Sequence, residues 1–215
     1  MKAGTSIKQE SIIEAALKRF IHFGFNKTTF ADIARDLGVS QQNLYYYFPD
    51  KKALVAAVLN SVITEYIDRL THIFSRKKTL AEKMTGLVEA KEFFFEKYYM
   101  LSADHSQEAF YNHRELTALM EDLGKRQQEL VEKELEAAIY TNEIKAINVP
   151  RVAALLLDTL AAMQEVVRCR TVIPDHTAIA EGFRKQKELI VIYVAGLKSC
   201  TCSNKGYANN KINNV

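Results

Sequence analysis

Across 215 residues this chain has only 8 glycines and 3 prolines, and the glycines stand singly. That scarcity constrains the fold more than any other feature. Sandwiches and barrels built from many short strands need a turn about every 8 to 12 residues, and turns draw heavily on these two residue types. A chain so poor in breakers reads as long helices. With 48% hydrophobic residues it has the material for a sizeable core. At roughly 100 to 200 residues per domain, its length fits one large domain or a small one joined to a larger one.

The apolar residues repeat with a helical period. Ile12, Ile13, Ala16, Leu17 and Phe20 make one stripe of a helix over about 7–23, which Gly24 ends. Thr29 precedes Phe30, Ile33, Ala34 and Leu37, with Asp32 three residues on as in a capping box; Gly38 closes this short second helix. Ser40 is placed to cap a third helix, in which Leu44, Tyr47 and Phe48 share a face, and Pro49 stops it. Asp50 can cap a long helix through Leu54, Val58, Val62, Tyr66, Leu70 and Phe74, ending in the cationic run Arg76-Lys77-Lys78. The pattern stays helical after Thr79, with breaks expected near 102–106 and 142–150. Two more helices are expected, one from about Pro150 to Arg170 and one from after Asp175 to about Lys198. Residues 200–215 are polar and Asn-rich and read as a flexible tail. The expectation is an all-α chain.

Three short helices in the first 48 residues, with Gly38-Val39-Ser40 joining the second to the third, fit a helix-turn-helix plan. The third helix turns Gln41, Gln42, Asn43, Tyr45 and Tyr46 away from its core face. Gln and Asn amides can pair in bidentate fashion with adenine in the major groove, and Tyr hydroxyls can reach phosphates. On patterning alone a second reading is equally open: an ordinary solvated helix start, followed by an aromatic plug joining two domains. Charge permits the first reading. Residues 1–52 carry 8 Lys/Arg against 5 Asp/Glu, while the remainder balances at 21 and 21, so the net +3 lies at the N-terminal end.

The stretch from Gly24 to Leu54 contains, in order, a Gly-aromatic, Thr28-Thr29, Ile33-Ala34, Gly38-Val39-Ser40, Leu44-Tyr45-x-x-Phe48 with x standing for any residue, and Lys51-x-x-Leu54. It resembles the N-terminal signature of the TetR/AcrR family of bacterial transcriptional regulators. The resemblance covers about a quarter of the chain. It implies that Thr29 and Lys51 anchor the DNA backbone, that Tyr45 and Tyr46 touch phosphates or base edges, and that Gln41, Gln42 and Asn43 read bases. Tyr46 stands where this family often has His. By the same resemblance, double-stranded operator DNA is the partner, and the C-terminal helices form a chamber for a small-molecule effector and a homodimer interface.

Raw material for a chamber is present. Phe93, Phe94, Phe95, Tyr98, Tyr99, Phe110 and Tyr111 supply 7 of the 21 aromatics within 19 residues, and Met100, Met120 and Met163 could add adaptable walls. For any single one of these residues core packing is the commoner explanation, because aromatic stripes usually pack. Phe94, Tyr98, Phe110 and Met163 are the residues expected to contact an apolar or aromatic ligand. For the dimer, Val152, Leu155, Leu156, Leu160, Met163 and Val167, widened by Ala153, Leu157 and Ala161, make a broad stripe, joined by Ile190, Tyr193, Val194 and Leu197. Stripes this wide bury more than one side of a helix, which places an intermolecular bundle at about 150–198. A monomer with a large core is the alternative.

Other classes find little support. The sequence has no G-x-G-x-x-G, P-loop or H-E-x-x-H, and Ser75-x-x-Lys78 lacks the companion motifs of an S-x-x-K enzyme. No catalytic residue, cofactor or metal is expected. Cys169, Cys200 and Cys202 form no disulfide framework and suit a reducing cytoplasm. Met1 to Glu10 has no apolar core of a secretory signal, and the longest apolar run, Leu189 to Leu197, is far below the ~20 residues of a membrane span, so no membrane partner is expected. The organisation expected is a DNA-binding domain at 1–50, a ligand-binding and dimerisation domain at 51–199, and the tail. A helical partner-binding protein without DNA affinity, or a helical-bundle enzyme or carrier, is the alternative function.

Overall fold

A computed structural model describes residues 8–99, 114–170 and 176–199, with side chains over 8–99, 117–167 and 176–199. The described residues form helices α1 (Gln9–Lys27), α2 (Phe30–Leu37), α3 (Gln41–Tyr47), α4 (Lys51–Arg76), α5 (Leu80–Lys97), α6 (Arg114–Tyr140), α7 (Val149–Arg170) and α8 (His176–Ser199). The chain is all-α over these residues. Phe110, Cys200, Cys202 and the 200–215 tail lie outside them.

The N-terminal elements begin and end where local chemistry requires. Inside α1, Gly24 has φ 76° and ψ 170°, a left-handed break that a side chain would resist, so the regular helix stops there. The hydroxyl of buried Thr28 satisfies the freed Gly24 carbonyl at 3.0 Å. Thr29 and Asp32 close the expected capping box: the Asp32 N–H donates to Thr29 Oγ1 at 3.2 Å, and the Thr29 N–H donates to Asp32 Oδ2 at 3.1 Å. Gly38, at φ 65°, ends α2, and the Val39 N–H returns to the Ala34 carbonyl at 3.0 Å. Phe48 is extended (φ −132°, ψ 111°), as a residue before proline must be, and α3 stops there. The Ala53 N–H then donates to Asp50 Oδ1 at 2.8 Å, capping α4.

Two compact units organise the chain. One comprises the described residues of Met1–Arg69 and Ala90–Arg126, the other those of Leu70–Glu89 and Gln127–Val215. In the first, Ile12, Ala16 and Phe20 of α1 meet Phe25, Phe30 and Ile33, with Leu44 and Phe48 completing a dry core. The Phe20 and Phe25 rings meet edge to face at 4.9 Å. Arg19 grips Asp36 with two bonds, Nε to Oδ2 at 2.5 Å and Nη2 to Oδ1 at 2.7 Å, tying α1 to the end of α2.

In the second unit α7 packs on α8. The buried residues are Ala153, Leu156, Leu160 and Val167 on α7, with Ile179, Phe183, Ile190, Val194 and Leu197 on α8. The Tyr193 hydroxyl donates to the Val152 carbonyl at 2.6 Å. Gly182 lets the helices close: a Cβ at that position would stand 2.2 Å from Val167 Cγ2. Glu143, after α6, accepts from the Leu80 N–H at 3.0 Å and pairs with Lys198 at 3.6 Å, so one carboxylate caps α5 and holds the end of α8. Lys83 pairs with Glu134 between α5 and α6. Gln186 is fully buried on α8, and neither its amide oxygen nor its amide nitrogen has a hydrogen-bond partner among the described residues.

The apolar stripes of α7 and α8 divide into two faces. Most of the residues expected at the dimer interface are core residues of this unit. The outward apolar residues are Leu155, Val166, Val191 and Ile192, exposed by 49–69%. Only Leu155 of these four was expected at the interface, because an apolar stripe in sequence does not say which of its edges faces inward.

Candidate nucleic-acid interface

Helix α3 has seven residues, below the length at which a helix persists alone, so tertiary contacts must hold it. Leu44 is fully buried and Phe48 nearly so, and at 100° per residue these two fix the inward face. Gln42 and Tyr46 are then diametrically opposite Leu44, one turn apart. Tyr46 is 84% exposed, and its ring meets Tyr47 edge to face at 5.1 Å. The exposed Gln42 has no hydrogen-bond partner among the described residues and is free to meet a base edge.

The flanking side chains are partly engaged. The Tyr45 ring packs on Phe30 at 4.8 Å between centroids, and the Gln41 amide donates to the Tyr45 hydroxyl at 3.4 Å. Ser40 occupies the N-cap position of α3, but its hydroxyl accepts no backbone N–H there; it donates to Asn43 Oδ1 at 3.2 Å.

The two expected backbone anchors also have structural duties. The Thr29 hydroxyl serves the capping box, and its bonds are the first cause holding the Asp32 carboxyl below its ordinary 3.8. Lys51 Nζ donates to the Asn26 carbonyl at 3.4 Å, joining the start of α4 to the end of α1. All seven residues expected to touch DNA therefore belong to α3, the N-cap of α2 or the first residue of α4, within one unit.

The residues expected to meet a ligand divide differently. Phe94 on α5 and Tyr98 just after its end are buried neighbours, with ring centroids 5.4 Å apart, and Tyr66 of α4 meets Phe94 edge to face at 5.2 Å. Burial pushes the Tyr66 phenol well above its ordinary 10. The Tyr98 hydroxyl donates to Glu65 Oε2 at 2.7 Å, and Lys97 reaches Glu65 Oε1 at 2.8 Å. Burial alone would raise the Glu65 carboxyl, but these two donors hold it below 4.5. Phe93 turns outward, 38% exposed, under the Arg69 guanidinium at 4.1 Å. Met120 is exposed on α6. Met163 belongs to the second unit, where with Val166, Val167, Ala178 and Gly182 it lines a groove of 240 Å³ between α7 and α8.

One residue of the first unit was missed by sequence reasoning. Lys91 occupies the middle of the buried arc of α5, between Phe94 and Tyr98 on one side and Phe95 on the other. Burial lowers its pKa to about 8. The signal was a lysine interrupting the apolar series that Phe94 and Tyr98 continue.

By fold and exposed surface this is a helix-turn-helix protein with a helical bundle after it. Residues 12–58 match the sequence model of the bacterial regulatory proteins of the tetR family. The HTH-type transcriptional regulator RutR of Escherichia coli K12 is 39% identical over 88 residues, 41% of this chain and 38% of that protein. The match thus spans well under half of the curated relative. A transcriptional regulator from Cytophaga hutchinsonii superposes with a TM-score of 0.80 at 24% identity, covering 88% of this chain and 98% of that one. A putative TetR-family regulator from Mesorhizobium loti gives 0.71 at 20% identity, covering 86% and 94%. At these identities the solved structures speak for the fold alone. The N-terminal segment, residues 12–58, is thus similar to the tetR family of bacterial regulatory proteins, and the remainder of the chain is similar to solved regulators of that kind in fold. No helix among the described residues is long and apolar enough to cross a membrane, and none of them form a group of three or more potential metal ligands.

Proposed function

We propose that this protein is a ligand-responsive repressor that binds a palindromic operator as a homodimer and is switched by a small apolar or aromatic molecule. The observation that carries the DNA-reading part is the outward face of α3: Gln42 and Tyr46 opposite a buried Leu44, with the Gln42 amide uncommitted. Gln41, Asn43 and Tyr45 flank them as further base or phosphate contacts, and Thr29 and Lys51 anchor the backbone. In this reading residues 1–50 bind DNA, and 51–199 bind effector and form the dimer.

Two recognition helices must be presented about one DNA turn apart, roughly 34 Å, so assembly is part of reading. The exposed apolar residues Leu155, Val166, Val191 and Ile192 support α7 and α8 as the dimer face. Phe94 and Tyr98 are the proposed effector wall. Phe110 lies outside the described residues, and Met163 is proposed as an apolar contact through the groove it lines.

The test separates readers from anchors. DNA selected by the purified protein from a random pool defines the operator, and variants are compared on it and on random DNA across salt. Gln42→Ala should cost ~1 to 3 kcal/mol per half-site on the operator and little on random DNA. Lys51→Ala should weaken both alike and lower the salt slope by about 0.9 per phosphate contact, nearly two for a dimer. Equal losses on both DNAs for Gln42→Ala would overturn its assignment as a base reader.

A further inference from the structure

We propose that Tyr45 is a positioning residue for base reading: its hydroxyl holds the Gln41 amide in one orientation, and the base pair that Gln41 then selects is A·T, through adenine. The inference rests on the reading of α3 as the DNA-reading helix and gives Tyr45 a duty distinct from direct contact with DNA.

Two adjacent tyrosines of α3 differ in what they touch. Tyr46 is 84% exposed, whereas Tyr45 is 50% exposed and packs its ring on Phe30, with centroids 4.8 Å apart and planes inclined at 49°. Phe30 is a core residue at the first position of α2, directly after the Thr29 N-cap, so its own place is set by the capping box. The contact ties a half-exposed ring of α3 to the core of the unit.

Gln41 lies one turn before Tyr45, and side chains four residues apart are neighbours on a helix surface. Gln41 Nε2 donates to the Tyr45 hydroxyl at 3.4 Å. An unrestrained glutamine amide can turn over and exchange its donor and acceptor ends. One bond to an anchored hydroxyl removes that freedom: it occupies one of the two N–H donors and leaves the second N–H and the carbonyl oxygen for a base. A donor beside an acceptor is the pattern that adenine complements in the major groove, with N7 accepting and the N6 amine donating. Guanine presents two acceptors at the same edge and leaves the carbonyl unmatched. The hydroxyl of Tyr45 thus acts on specificity through Gln41, as a supporting hydrogen bond acts on any residue whose rotamer must be fixed before its partner arrives.

The experiment uses the full chain and the operator selected from a random pool, with each base pair of the half-site changed in turn, identically in both halves, and binding read by fluorescence anisotropy. Wild type is compared with Tyr45→Phe, which removes the hydroxyl and keeps the ring on Phe30, with Gln41→Ala and with the double variant. Gln41→Ala should erase the preference at one A·T pair, a loss of about 5- to 150-fold per half-site. Tyr45→Phe should lower the preference at that same pair by about fivefold or more, while other positions, binding to random DNA and the salt slope stay within about twofold of wild type. The double variant should match Gln41→Ala, because the hydroxyl has nothing left to position. Loss at a different base pair would make Tyr45 a reader in its own right, and equal weakening on operator and random DNA would make it a phosphate contact. Either result, or a Tyr45→Phe profile identical to wild type, would overturn the positioning role. A pair other than A·T flattened by Gln41→Ala would overturn the assignment of adenine. If wild type selects no sequence from the pool, the reading of α3 itself fails and the positioning role falls with it.

Discussion

The close approach of α7 and α8 offers a quantitative test of the second unit. A methyl added by Gly182→Ala would stand 2.2 Å from Val167 Cγ2, 3.5 Å from its Cβ and 3.6 Å from its Cγ1. Favourable carbon contacts lie at about 3.5–4.0 Å, so one contact is more than 1 Å too short and the other two are acceptable. Valine in a helix holds one χ1 rotamer strongly, so the offending methyl cannot swing aside cheaply. Overpacking of this kind costs about 1–3 kcal/mol, against which alanine gains about 0.8–1.0 kcal/mol over glycine in a helix. Gly182→Ala should therefore destabilise by about 1 kcal/mol. Val167→Ala should cost about 1.5 kcal/mol for its two lost carbons, and somewhat more if a void remains. In that second background the clash is gone, so Gly182→Ala should become neutral or stabilising, a coupling of about 1–3 kcal/mol. Urea unfolding followed by helical circular dichroism, at one protomer concentration throughout, measures all four corners of the cycle. Additivity within about 0.5 kcal/mol would refute the packing argument.

Three further outcomes are expected. Gln186→Leu removes two buried, unpartnered amide atoms and should raise stability by about 1 kcal/mol or more in the same assay; a loss would show that the amide has a partner. Asp32 is held below its ordinary 3.8 by Thr29, so its contribution is complete above pH 3.8 and disappears as pH falls through the lower folded value. Thr29→Ala should cost about 0.5–2 kcal/mol as a lost cap and move acid unfolding to higher pH; an unchanged acid midpoint would argue against the capping box. Ile192→Glu, at an exposed apolar position on α8, should convert a dimer into monomer by light scattering and weaken operator binding with it; a dimer that persists would move the interface elsewhere.

Local chemistry was the legible part. Gly24, Gly38, Pro49 and Asp50 announce the ends and starts of the first four helices because a φ above zero, a missing N–H or a capping carboxylate acts within a few residues. The box at Thr79 and Glu82, with the Thr79 N–H to Glu82 Oε2 at 3.0 Å and the Glu82 N–H to Thr79 Oγ1 at 3.2 Å, was equally visible as T-x-x-E, though only a helix after Thr79 was expected. Packing was less legible. That Gly182 admits Val167, or that Val191 and Ile192 face outward while Ile190 and Val194 face inward, depends on which neighbour each helix meets. The outward face of α3 could be read because Leu44 and Phe48 fix its phase. Lys91 could not be weighed without knowing that the arc around it is buried.

The brevity of α3 determines where its entropy is lost. Seven residues would fluctuate among many conformations as a free peptide, and ordering each backbone unit costs about 1–2 kcal/mol. Here Leu44, Phe48 and the extended link through Pro49 to the capped start of α4 impose that order during folding, before any partner arrives. In the proposed reading, a rigid DNA groove then meets the outward amides and phenols already in phase, and contacts made there are not diminished by a disorder-to-order transition. The same seven residues excised as a peptide would carry every side chain and lose most of the affinity.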